Sequence, residues 1–375
     1  MSSTASRLPD LAGLLRDPTP EGRSALLACV TDLYLSGSEN CSDEARDGFG
    51  LLLVDIARMA GADAQQAMAQ SLGNDDTPPP SVVDFLLEQP GWVAAPFLAA
   101  TPALDDQALT ELIDTHGNTH AASIAQRQGL SSVLVRKILT TGNDAALVSL
   151  AENHDAPLQR ADFETLKAAA PALPHLQAAL IDRHDLPADV AVALMWHTGP
   201  HLGRRALDQA LAVTNDALSL AIEAAAAIGM AEGKPSPHPE EAASYAVQKY
   251  SRHELKEPLV VRLLRDGDMD RFYACLDKLT DIDRATGEAI MAERSGFALM
   301  VACRAARFAR STFSTLVRLG EDGAQRSTDQ TFDLMSAFET LDDASAERLL
   351  GFWQVLFAGA ELADADDAGD TRQAS

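Results

Sequence analysis

The run IAQRQGLSSVLVRKIL, residues 124–139, has the most suggestive spacing of polar and basic side chains in the chain. It fits a helix-turn-helix, with Ala125 in a first helix, Gly129 at the turn and Ser131 capping a second helix that faces Val135 and Ile138 inward. A DNA reader so built would turn Ser132, Arg136 and Lys137 toward the major groove. The same small-residue, turn and apolar positions recur in neighbouring segments without the basic residues, so repeat packing is the better account of the match. His116/His120 and His197/His201 are each four apart, as two metal ligands on one helical face would be. Gly117 and Asn118 interrupt the first pair, Gly199 and Pro200 the second, and no HExxH occurs, so cap or loop positions are expected. Asp281/Asp283 and Asp342/Asp343 are the residue type of paired acid–base or metal-binding carboxylates. Each pair precedes an expected helix, where N-capping and the helix dipole use the same residue type.

Positive charge concentrates in SRHELKEPLVVRLLRD and in RAARFARSTFSTLVR. Arg304, Arg307 and Arg310 recur at a step of three; on one helix they would form a basic face for an acidic or phosphorylated partner. Neutralisation by nearby Glu and Asp is the plainer expectation. The sequence contains no GxSxG, no GxGxxG and no Walker loop, and no cysteine in a recognisable catalytic setting. No catalytic, cofactor-binding or metal-ligating residue is therefore assigned, and a non-enzyme is expected. Two alternatives stay open, a DNA-binding regulator using 124–139 and a cryptic metalloenzyme.

Whatever these side chains do, helices must position them. Apolar residues recur at three and four, alternating Val/Ile/Thr runs are scarce, and aromatics are only 5% of an Ala- and Leu-rich chain. Thirty basic against 55 acidic side chains give a net charge of −25. A field of that sign repels nucleic acid and anionic lipid, so nucleic acid is a disfavoured partner. Cys29, Cys41, Cys275 and Cys303 are far apart with no CxxC, as in a reducing compartment. The first residues lack a secretory pattern, and the longest apolar stretch, Leu218 to Met230, is broken by Glu223 and too short for a bilayer. A cytoplasmic protein without a membrane segment is the expectation.

Pro20 to Gly37 and Ser42 to Ala60 each carry an apolar stripe, with Ser42 as N-cap and Asp43 and Glu44 in the first turn. From residue 72 the chain repeats. Leu72, Leu98, Ile124, Leu150 and Leu180 serve as anchors at intervals of 26, 26, 26 and 30. Gly73, Ala99, Ala125 and Ala151 follow four of them. Pro78, Leu104, Leu130, Ala156 and Leu186 stand six positions on, where the chain must turn. Paired apolar sites come next, such as Leu134/Val135 with Ile138/Leu139; the fourth copy aligns Phe163 and Leu166 after a two-residue insertion. A sixth, degenerate copy is read from Leu211. Asp105, Ser131 and Pro187 have helix-starting chemistry. Ordering about 26 backbones costs roughly 1–2 kcal/mol each, and six buried apolar side chains return only about 1.5–3 kcal/mol apiece. One hairpin cannot fold alone, so neighbours must stack.

The runs LAATPALDDQALTELIDTHGN, IAQRQGLSSVLVRKILTTGN and LIDRHDLPADVAVALM resemble the bacterial family called domain of unknown function 2336, DUF2336. LVVRLLRDGDMDRFYACLDKLTDI and GFALMVACRAARFARSTFSTLVRL are similar to that family's C-terminal part, for coverage of about residues 45–320. The resemblance implies a helical, HEAT-like architecture and, because the family has no assigned activity, no site residues. The expected fold class is all-α: a HEAT-like α-solenoid of stacked helix hairpins with helical N- and C-terminal regions. The expected layout is an N-terminal helical cap at 1–70, a repeat array at 71–230, a Pro-rich linker or loop at 231–242, a C-terminal helical region at 243–360 and a disordered acidic tail at 361–375. The leading functional expectation is a scaffold or adaptor binding another protein.

Overall fold

The computed structural model describes residues 13–38, 41–116, 118–196, 198, 200–212, 238–293, 295–320 and 327–354. Every regular element among them is helical. The sequence readings for Leu218–Met230, for His197, for 361–375 and for most of 231–242 lie outside the described residues. Among the described residues, no helix is long and apolar enough to cross a membrane. Packing divides the chain into two compact units, Met1–Leu166 and Lys167–Ser375. The division falls within the stretch 71–230 that the periodicity groups as one array.

The first unit contains α1 (Pro20–Leu35), α2 (Asp43–Met59), α3 (Ala62–Leu72), α4 (Pro80–Leu87), α5 (Gly91–Ala100), α6 (Asp106–His116), α7 (Asn118–Ala125), α8 (Ser132–Thr141) and α9 (Asp144–Glu152). The starts of α2, α6, α8 and α9 follow from side-chain oxygens that satisfy otherwise orphaned N–H groups, whereas α3, α4 and α5 begin without a side-chain cap. Ser42 accepts from Ala45 N, Asp105 from Ala108 N, Ser131 from Leu134 N and Asn143 from Ala146 N. Helices of alternate rank pack together: α1 on α3, α3 on α5, α5 on α7 and α7 on α9, with α2 on α4 and α6 on α8 alongside. Leu72, Leu98, Ile124 and Leu150 lie in the first of these rows, each fully buried. Of the apolar pairs of the second helices, Val82, Leu86, Leu109, Leu112, Ile113, Leu134, Val135 and Ile138 are buried, while Val83, Leu87, Ala108 and Leu139 are half-buried. One cluster runs from Leu26 to Phe97 and a second from Ala94 to Ala156, so the helices before residue 70 share a core with α3–α5.

Small residues after the anchors let these helices approach. A Cβ on Gly73 would stand 3.1 Å from Ala100 Cβ and 3.2 Å from the Pro96 carbonyl oxygen. Pro96 lies inside α5 and has no N–H to offer the carbonyl one turn back. Gln66 Nε2 donates to that carbonyl, Trp92 O, at 3.1 Å, so the break is satisfied from the adjacent helix.

A polar register accompanies the apolar one. Three residues past each anchor stands a polar side chain: Asp75, Thr101, Arg127, Asn153 and Arg183. Arg127 donates to Leu98 O and Thr101 O, both at 2.6 Å. Asn153 Nδ2 donates to Ala125 O and Arg127 O, both at 2.8 Å. Each side chain thus caps the carbonyl end of the first helix one copy earlier, meeting groups that the helix itself leaves unpaired. The pattern recurs in the second unit, where Gln209 Nε2 donates to Arg183 O at 2.7 Å, again 26 residues apart. Ala206, three positions before Gln209 and 26 after Leu180, is fully buried; the side chain of Leu211, from which the sixth copy is read, lies outside the described residues.

Helix α10 (Arg160–Ala169) spans the division. The second unit holds α11 (Pro174–Ile181), α12 (Ala188–Leu194), α13 (Pro200–Ala212), α14 (Glu240–Ser251), α15 (Glu257–Arg265), α16 (Met269–Thr280), α17 (Arg284–Ala292), α18 (Phe297–Ala305), α19 (Arg310–Leu319) and α20 (Thr328–Thr340). A further helical stretch runs over 343–354. Nearly all of α18 is buried, because FALMVACRA is apolar on every face and must be surrounded. It packs against α13, α17, α19 and α20. Elsewhere α14 and α15 pack on α16, and α15 also packs on α19. Trp196 and Trp353 meet edge to face, ring centroids 4.9 Å apart.

Candidate functional site

In the 124–139 segment Ala125 ends α7, Gly129 takes the left-handed conformation at φ +66°, and Ser131 caps α8. Arg136 lies exposed, its Nε donating to Ser132 O at 3.1 Å, while Lys137 pairs with Asp114 on α6. The rings of His116 and His120 are stacked, centroids 4.8 Å apart, with His120 buried and its Nε2 3.2 Å from Leu87 O. His197 and the side chain of His201 lie outside the described residues. Among the described residues no group of three or more His, Cys, Asp or Glu is arranged to hold a metal ion.

The paired carboxylates divide. Asp283 accepts from Thr286 N at 2.9 Å and caps α17. Asp342 accepts from both the amide and the hydroxyl of Ser345, and these bonds hold its carboxyl below the usual carboxylate range. Asp343 instead lies 3.3 Å from Arg304 Nε. Asp281 departs from the N-cap expectation: it ends α16 as a C-cap, with φ +56°.

Arg304, Arg307 and Arg310 do not share a helix, contrary to the face inferred from their spacing. The chain leaves α18 after Ala305, Arg307 takes φ +57°, and Arg310 begins α19. Phe308 N donates to Cys303 O and Arg307 N to Arg304 O, the paired bonds of a Schellman turn with arginine where glycine is usual. Each arginine meets acid: Arg304 with Asp343, Arg307 with Glu347 at 3.6 Å, Arg310 with Glu339 at 2.7 Å.

This turn nevertheless brings the two basic segments of the sequence together. The face of α15 formed by Val260, Leu263 and Leu264 is buried, which leaves Pro258, Val261, Arg262 and Arg265 on the other side. These four, with Leu255, Lys256 and Glu257, line a cleft of about 630 Å³. Leu279 of α16 and Ala306, Arg307, Phe308 and Thr312 complete it. The Glu257 carboxylate accepts from Ala309 N at 3.3 Å and from the Thr312 hydroxyl, and so is engaged at the positive start of α19. Among the described residues Lys256, Arg262 and Arg265 are exposed and have no ion pair, whereas Arg271, Arg284, Arg304 and Arg310 of the same unit each have one. The sequence flagged both basic segments but not their meeting, because the contact spans about fifty residues and depends on a left-handed arginine that no glycine announces.

Residues 93–351 match the model of the family described as "Uncharacterised protein conserved in bacteria (DUF2336)". The match begins later than the resemblance read from the sequence, leaving α1–α4 outside it, and reaches further toward the C-terminus. No curated protein and no solved structure matches.

Proposed function

The chain belongs to the DUF2336 family of uncharacterised bacterial proteins, and from its own residues we propose a non-enzymatic scaffold whose hairpins form a HEAT-like α-solenoid and bind another protein. The packing of alternate helices, the buried anchors and the 26-residue hydrogen-bond register support the solenoid part of this reading. Stacked hairpins generate extended surfaces suited to partner binding.

One observation carries the binding part. Leu51, Leu52 and Met59 of α2 are 63%, 46% and 54% exposed, although every repeat anchor is fully buried. These side chains lie outside the core cluster to which α2 contributes, and clustered apolar residues left on one helix mark interaction surfaces more often than isolated ones do. Trp92 and Val133 add exposed apolar area in the same unit. Cross-linking and affinity capture from native cytoplasm test the reading. The wild-type chain is expected to recover a protein at fixed stoichiometry, and a Leu51→Asp/Leu52→Asp variant with unchanged melting is expected to lose it. Equal recovery by the variant, or no stoichiometric protein with either, would count against the proposal.

A further inference from the structure

We infer that the cleft between α15 and the α18–α19 turn docks a partner segment in which acidic and apolar side chains alternate. The site lies in the second unit and goes beyond the scaffold reading, so the two can fail separately. Charge complementarity is the first ground. In a chain carrying −25, where most arginines of this unit have an acidic partner, Lys256, Arg262 and Arg265 line one cleft with none among the described residues. Their local field is opposite in sign to that of the chain, and it attracts carboxylates.

The second ground is what lies between the cations. Leu255, Pro258, Val261, Leu279 and Phe308 give the cleft an apolar lining, so its occupant must carry apolar groups as well as charge. A volume of about 630 Å³ fits a few side chains of a peptide. Third, Arg307 keeps a left-handed backbone that disfavours every residue with a Cβ, in a turn where glycine would be cheaper. Strain of this kind persists where a side chain is needed at that position. The apolar side chains of the lining call for apolar groups beside each charge, which a segment alternating carboxylate and apolar side chains supplies.

Fluorescence anisotropy on the full chain tests the site, using a labelled synthetic peptide of alternating Glu and Leu. Binding is expected to weaken with salt and to fall roughly tenfold or more in Arg262→Glu/Arg265→Glu. An Arg307→Gly variant is expected to weaken binding while its melting temperature holds or rises, a separation that a purely structural role would not produce. Should the charge-reversed variant fail to fold, Arg262→Gln/Arg265→Gln reads the same quantity. The inference is overturned if the peptide does not bind, if both sets of variants bind as wild type does, or if a peptide with Gln in place of Glu binds equally well. Tighter binding of a phosphoserine version, or of a single-stranded oligonucleotide, would overturn it in favour of phosphate.

Discussion

Cys275 and Cys303 are fully buried, and loss of water disfavours their thiolates; the Cys275 pKa is pushed up to about 11 and that of Cys303 is raised as well. The sign of the linkage follows. Below the ordinary thiol value of 9.0 both folded and unfolded chains hold the proton, and the contribution to stability is complete. As pH rises from 9.0 toward about 11, the unfolded chain ionises first and stability is lost. The melting temperature should fall across that window, and less steeply in Cys275→Ala; equal slopes would mean that other groups control the loss. Among single residues, local chemistry was the most legible. Ser42, Asp105, Ser131 and Asp283 read correctly as caps because capping is decided within about three residues. Asp281 and Arg307 misled because their left-handed conformations come from the packing of the helices they join and leave no glycine in the sequence.

Between neighbouring helices, the Arg127 and Asn153 side chains join one hairpin to the previous one at the point where backbone carbonyls run out of partners. Arg127→Ala removes both donors from Leu98 O and Thr101 O and should cost about 1–3 kcal/mol. Arg127→Lys should recover only part of this, since a single ammonium lacks the planar fork that reaches two acceptors. Urea denaturation of the three chains checks the order; a midpoint unmoved in Arg127→Ala would mean that water replaces the side chain without loss. The apolar half of the repeat was legible at Leu72, Leu98, Ile124, Leu150 and Leu180 because burial demands one residue class. The polar half was harder to see, since Asp, Thr, Arg, Asn and Arg share only polarity at the matching position. The signal was present nonetheless: every residue three past an anchor is hydrophilic.

For the molecule as a whole, the solenoid proposal makes a demand that a single closed core would not. Excision of residues 99–124 joins Leu98 to Ala125, removes one copy and preserves the register on both sides. In a stacked array each copy contacts mainly its neighbours, so the shortened chain should remain helical and melt cooperatively at lower temperature. Circular dichroism checks this, and a collapsed or aggregated product would argue for a core that needs every helix at once. Composition and periodicity made the all-helical class legible throughout. The two-unit division and the cleft were not, because they depend on contacts between distant segments such as α15 and α19.

The direction of the Arg127 and Asn153 bonds has a bearing on biosynthesis. Each donor lies 26 residues downstream of a carbonyl it covers. During translation at about 5–20 residues per second, a hairpin leaving the ribosome waits roughly 1–5 s for the side chain that closes its exposed end. Until then its stacking face is also bare, so nascent chains stalled just short of Arg127 or Asn153 should be those most readily held by chaperones.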